Sequence, residues 1–107
     1  MIYSNWQYKM LTSRDLVGLL MEREKIPSMY ATAKRLEISE STVQGWCKGR
    51  RTMTDDAGVQ IALLLGLPTE WIILSLAAER AISKLSYPEL ANTANRFTPA
   101  EYQEKSQ

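Results

Sequence analysis

At 107 residues the chain is long enough for one domain with one core and too short for two of comfortable size. Its 45% hydrophobic and 23% charged content are ordinary for a globular protein, five glycines and four prolines are too few to suggest disorder, and a single cysteine, Cys47, excludes an internal disulfide and fits a reducing, cytoplasmic setting. The net charge is only +1, yet residues 28–51 carry five basic and two acidic side chains while residues 52–78 carry three acidic and none basic, so positive charge is gathered in one segment.

Residues 1–9 contain no apolar run of signal-peptide length. Thr12-Ser13-Arg14-Asp15 reads as the capped start of a first helix over about 13–25, with Leu16, Leu19 and Leu20 at helical spacing and Pro27 beyond its end. The spacing predicts a second helix over 28–36, its inward face formed by Tyr30, Ala33 and Leu36, and a third over 40–48, with Val43, Trp46 and Cys47 at i, i+3 and i+4. The two stripes can pack on each other. Ala33 is small where the helices would cross, Ile38 plugs the turn, Ser39 offers its hydroxyl as N-cap, and Gly49 is a natural C-terminal stop. A basic loop, Gly49-Arg50-Arg51-Thr52-Met53, follows.

Thr54 caps a fourth helix whose first turn carries Asp55 and Asp56, favoured by the positive end of the helix dipole, and Gly66 stops it. Pro68 opens a fifth helix through at least Ser83. Residues 57–78 are rich in Leu and Ile over a membrane-like length, but Gln60, Pro68, Thr69 and Glu70 interrupt them, and the longest apolar piece, 71–78, falls short of the roughly 20 residues a span needs. No membrane partner is expected. A short sixth helix is expected over 89–95 and a loose tail from Phe97 to the end, giving a domain over 1–85 and an extension over 86–107, partly helical or disordered.

The expected fold is all-α: five helices with a helix-turn-helix at the second and third, plus a C-terminal helical extension. This order resembles the DNA-binding domain of the lambda repressor and Cro superfamily, also called XRE-type regulators, and in size the small regulators of phages and prophages. The resemblance covers residues 13–78 and rests on Ala33, Ile38-Ser39, Val43, Trp46 and Gly49, and on Leu65-Gly66-Leu67-Pro68-Thr69-Glu70-Trp71-Ile72-Ile73, which is similar to the family's junction between helices four and five. Two positions depart from it: Met29 stands where the family commonly has a phosphate-donating Gln, and Glu37 stands where it usually has Gly.

The resemblance implies a sequence-specific regulator of transcription, most simply a repressor, that inserts the third helix into the major groove of a double-stranded DNA operator. It places Glu40, Ser41, Gln44 and Gly45 at base edges, where Gln44 suits adenine, Glu40 suits cytosine N4 and Gly45 permits close approach. It places Ser28, Tyr30, Thr42, Lys48, Arg50 and Arg51 at phosphates, which set register without reading sequence. Lys34 and Arg35 suit either a phosphate or plain solvent.

The fifth helix is apolar nearly all round, with Trp71, Leu74, Ala78 and Ile82 on one stripe and Ile72, Ile73, Leu76 and Ala77 widening it. The favoured expectation is a homodimer through Ile72, Ile73, Leu76 and Ala77; the alternative is that Leu85, Tyr87, Leu90 and Phe97 fold back over the helix. A rival within the same fold is an antitoxin that binds a toxin and its own operator, and a different class of function is a protein-interaction module such as an antirepressor. With no histidine, metal-ligand cluster, phosphate loop or nucleophile motif, neither an enzyme nor any metal or cofactor is expected.

Overall fold

The computed structural model describes residues 10–102, whose regular secondary structure is all helical, with no strand among them. Six helices follow in order: α1 (Ser13–Glu24), α2 (Met29–Leu36), α3 (Glu40–Cys47), α4 (Asp55–Leu65), α5 (Thr69–Arg80) and α6 (Tyr87–Arg96), then a 3-10 turn at Ala100–Tyr102. The expected boundaries of the first four hold to within a residue or so, because each start is capped locally. Thr12, Ser28, Ser39 and Thr54 each accept a hydrogen bond from the backbone N–H three residues on, and Asp15 reaches back to the Thr12 N–H to complete a capping box.

The ends of these helices share one geometry. At α1, α2 and α4 a residue with positive φ (Lys25 at 55°, Glu37 at 60°, Gly66 at 72°) turns the chain, and the next N–H donates to the carbonyl five residues back. For Lys25 and Glu37 the left-handed conformation costs about 1 kcal/mol relative to glycine. Closing the turn between α2 and α3 brings Ile38, half-buried, onto the core.

α5 ends at Arg80 rather than extending through Ser83. The chain reverses over residues 81–86, and α6 runs back along α5, beginning at Tyr87, two residues before the expected start, with Pro88 tolerated in the first turn. Fold-back therefore covers α5, but of the four large side chains expected over it Leu85 and Phe97 stay exposed. Ala91 and Ala94 are fully buried and let the helices approach closely, Tyr87 and Leu90 are half-buried, and Leu85 is 99% exposed. The expected loose tail is corrected over 97–102: Thr98 is buried, the Tyr102 ring lies 5.2 Å from that of Trp71, and Arg23 Nη2 donates to the Tyr102 hydroxyl at 3.0 Å. Residues 103–107 of that tail lie outside the described residues. No helix among the described residues is long and apolar enough to cross a membrane.

The dimer expectation needs correction at two of its four positions. Ile72 and Leu76 have no exposed surface, because they meet α4 at Gly58, whose absent side chain makes the crossing close; a Cβ there would stand 2.5 Å from Leu76 Cδ1 and 3.2 Å from Ile72 Cγ2. They belong to the chain's own core. Ile73 remains 37% exposed and Ala77 half-buried.

Two glycines separate packing from helix propensity. A Cβ on Gly18, exposed in mid-α1, meets nothing within 4 Å, so Gly18→Ala should stabilise by about 0.5–1 kcal/mol through propensity alone. Gly58→Ala gains the same propensity but overpacks a closed crossing, at a cost of about 1–3 kcal/mol, and should be net destabilising. Urea unfolding midpoints of the two variants should move in opposite directions, and a stabilised Gly58→Ala would show that α4 and α5 do not cross as closely as described.

Candidate nucleic-acid interface

α3 is short, about 12 Å at 1.5 Å per residue, and its two sides differ in kind. Val43 and Trp46 are buried against α1 and α2, with Cys47 half-buried beside them. Glu40, Ser41 and Lys48 are exposed on the opposite side, with Gln44 half-buried among them. Spacings of four residues put Glu40, Gln44 and Lys48 in one row. Gln44 Nε2 donates to Glu40 Oε2 at 3.4 Å, a long bond that leaves both groups available to other partners.

The start of α3 is organised by hydroxyls. Ser39 Oγ accepts from the Thr42 N–H at 3.2 Å and shares hydrogens with Thr42 Oγ1 at 2.8 Å and Ser41 Oγ at 3.2 Å. Thr42, expected at a phosphate, is thereby partly committed to the cap. Ahead of it, Ser28 caps α2 by accepting from the Ala31 N–H at 3.0 Å, and Tyr30 stands 58% exposed with Lys34 Nζ 5.5 Å from its ring centroid. Arg35 is held by Glu24 of α1, with Nε–Oε1 at 2.8 Å and Nη2–Oε2 at 3.3 Å. Its charge is neutralised within the chain, whereas among the described residues Lys48, Arg50 and Arg51 form no ion pair.

Gly49, with φ 76°, turns the chain at the end of α3, and both Arg50 and Arg51 donate their backbone N–H to the carbonyl of Gly45, at 2.8 and 3.3 Å. The loop is thus folded back against the helix it leaves. One consequence corrects the expectation for Gly45: it is buried, not open to a base, because the aliphatic stem of Arg51 crosses it. A Cβ there would stand 2.7 Å from Arg51 Cγ. From that saddle Arg51 Nη1 reaches the Thr42 hydroxyl at 3.4 Å.

The far end of the loop is tied down by residues that sequence reasoning did not single out. Met53 is fully buried; its N–H donates to Ser13 Oγ at 2.7 Å and its carbonyl accepts from Arg80 Nη1 at 3.3 Å. Ser13 in turn donates through both its backbone N–H and its hydroxyl to Glu79 Oε1, each at 2.9 Å, so a carboxylate from α5 sits at the N-terminus of α1. Arg80 Nη2 also pairs with Asp55 at 2.9 Å. Ser13 and Glu79 are 66 residues apart in sequence, and no local pattern signals that they meet. Arg14 Nε completes the frame by donating to the Cys47 carbonyl at 2.8 Å, a cation at the negative end of α3.

No family model, no curated protein and no solved structure matches the chain.

Glu79→Ala removes the acceptor of two Ser13 hydrogen bonds and should cost about 1–3 kcal/mol, while Glu79→Gln keeps a carbonyl oxygen in place and should cost less. Thermal unfolding of both variants checks this, with equal losses pointing to the charge rather than to the hydrogen bonds.

Proposed function

We propose that this protein is a sequence-specific double-stranded DNA-binding regulator, most simply a repressor, built on a helix-turn-helix formed by α2 and α3 and related in design to the lambda repressor and Cro superfamily. The observation that carries the proposal is the two-sided character of α3. Its inner side is anchored in the core by Val43 and Trp46, and its outer side presents Glu40, Ser41 and Gln44, followed at the C-terminal end by Lys48 and Arg50, which form no ion pair among the described residues. A helix about 10–12 Å across fits a major groove of about 12 Å, where amide, carboxylate and hydroxyl groups can match base edges.

In this reading Gln44 takes adenine N6 and N7, Glu40 accepts from cytosine N4, and Ser41 serves either partner. Lys48 and Arg50 meet phosphates, and Ser28 and Tyr30 at the start of α2 meet the adjoining backbone. The low net charge suits a protein whose affinity depends on a few placed cations rather than on an overall field. Two copies would read paired half-sites about 34 Å apart, meeting through the part of α5 left open around Ile73.

Gln44→Ala should weaken binding to the cognate duplex by about 1–3 kcal/mol with little change on a scrambled duplex, whereas Arg50→Ala should weaken both and lower the slope of log K against log salt by about one. Titrations on the two duplexes over a salt series measure this, and an equal loss on both for Gln44→Ala would remove it from base readout. For assembly, Ile73→Glu should abolish concentration-dependent dimerisation in sedimentation without loss of helical signal. A wild type that stays monomeric throughout would sink that pairing.

A further inference from the structure

We infer that Arg51 is a base-reading side chain, held ready along α3 by the missing side chain of Gly45, and that it confers a requirement for guanine beside the bases met by Ser41 and Gln44. The inference rests on the DNA-binding reading above and deepens it. A cation in a loop after a recognition helix would ordinarily count as a phosphate contact, because such a loop runs beside the DNA backbone. Here the geometry differs. The Arg50 and Arg51 amides are drawn back onto the Gly45 carbonyl, so the side chain of Arg51 leaves from a point over α3 and lies across Gly45, and its Nη1 reaches Thr42, nearer the start of the helix.

Gly45 lies four residues after Ser41, so the two share an edge of the helix, and the stem of Arg51 borders the outer row of polar side chains. The guanidinium carries five N–H donors in a planar fork. The Thr42 contact is long and uses one of them, and among the described residues no carboxylate pairs with the group, which stays exposed. A fork with free parallel donors matches guanine O6 and N7 in the major groove, the commonest specific contact of arginine. Preorganisation supplies the rest. A free arginine loses rotamer entropy when ordered, and a stem already seated on Gly45 and tethered at Thr42 has lost part of it before DNA arrives.

The test is selection from a randomised double-stranded DNA library with the full chain as wild type, Arg51→Ala, Arg51→Lys and Gly45→Ala, each first shown by circular dichroism and thermal unfolding to fold. The wild type should enrich a motif containing an invariant guanine. Arg51→Ala should lose the preference at that base alone, by about tenfold to a hundredfold, and Arg51→Lys, which keeps the charge but not the planar fork, should weaken it, with the rest of the motif retained. Gly45→Ala keeps the charge but fills the saddle, and should blunt the same guanine preference while leaving the salt slope unchanged.

Other outcomes overturn the assignment in distinguishable ways. If Arg51→Ala enriches the wild-type motif unaltered and loses affinity on every sequence with a salt slope lower by about one, Arg51 is a phosphate contact and the DNA-binding reading stands without it. If Arg51→Ala loses the guanine but Gly45→Ala does not, readout by Arg51 survives and the saddle is dismissed. If Gly45→Ala fails to fold, Arg51→Lys decides, since it retains the charge and lacks the fork. A wild type that enriches no motif removes both this inference and the function on which it rests.

Discussion

The side chain of Ser13 joins three parts of the molecule at one buried point. Its hydroxyl accepts from the Met53 N–H and donates to Glu79, and its backbone N–H donates to the same carboxylate oxygen. These bonds connect the first turn of α1, the end of the basic loop and the last turn of α5. An unpaired buried donor or acceptor would cost about 1–3 kcal/mol, so the three groups are stable only together. The loop after α3 is consequently fixed at both ends, by the Gly45 carbonyl where it begins and by Ser13 and Arg80 where it ends. Arg50 and Arg51 stand on a braced span.

The distribution of paired and unpaired charge follows from the same frame. Arg14, Arg35 and Arg80 are spent internally, on a helix C-terminus, on Glu24 and on Asp55 with the Met53 carbonyl. Lys48, Arg50 and Arg51 are exposed and without ion-pair partners among the described residues. A net charge of +1 therefore understates the positive field at one end of α3. Exposed ion pairs contribute little to stability, at most about 1 kcal/mol each, but they withdraw cations from the surface on which a polyanion would compete for them.

The core depends on small residues where helices meet. Gly58 brings α4 against Ile72 and Leu76, and Ala91 and Ala94 bring α6 against α5. Close crossings remove methyl-sized gaps, and side chains that look like an outward stripe on an isolated helix end up inside. That is why α5, apolar on nearly every side, needs no second copy to bury Ile72 and Leu76. Tyr102 against Trp71 extends the same burial into the last described turn.

Local sequence determined the helices, because their signals act over three or four residues. Thr12, Ser28, Ser39 and Thr54 mark starts through one hydroxyl and one amide, Gly66 and Pro68 mark a stop and a start, and the 3.6-residue period assigns Val43 and Trp46 to the inside. The polar outer side of α3, with Glu40, Ser41 and Lys48 exposed and Gln44 half-buried, was legible for the same reason. Tertiary structure alone decided that Gly45 is covered, that Ile72 and Leu76 are internal, that residues 97–102 pack, and that Ser13 meets Glu79. Each of those outcomes depends on where the chain returns after a turn. Periodicity reports which face of a helix is apolar, but not what covers that face or which loop folds back across it.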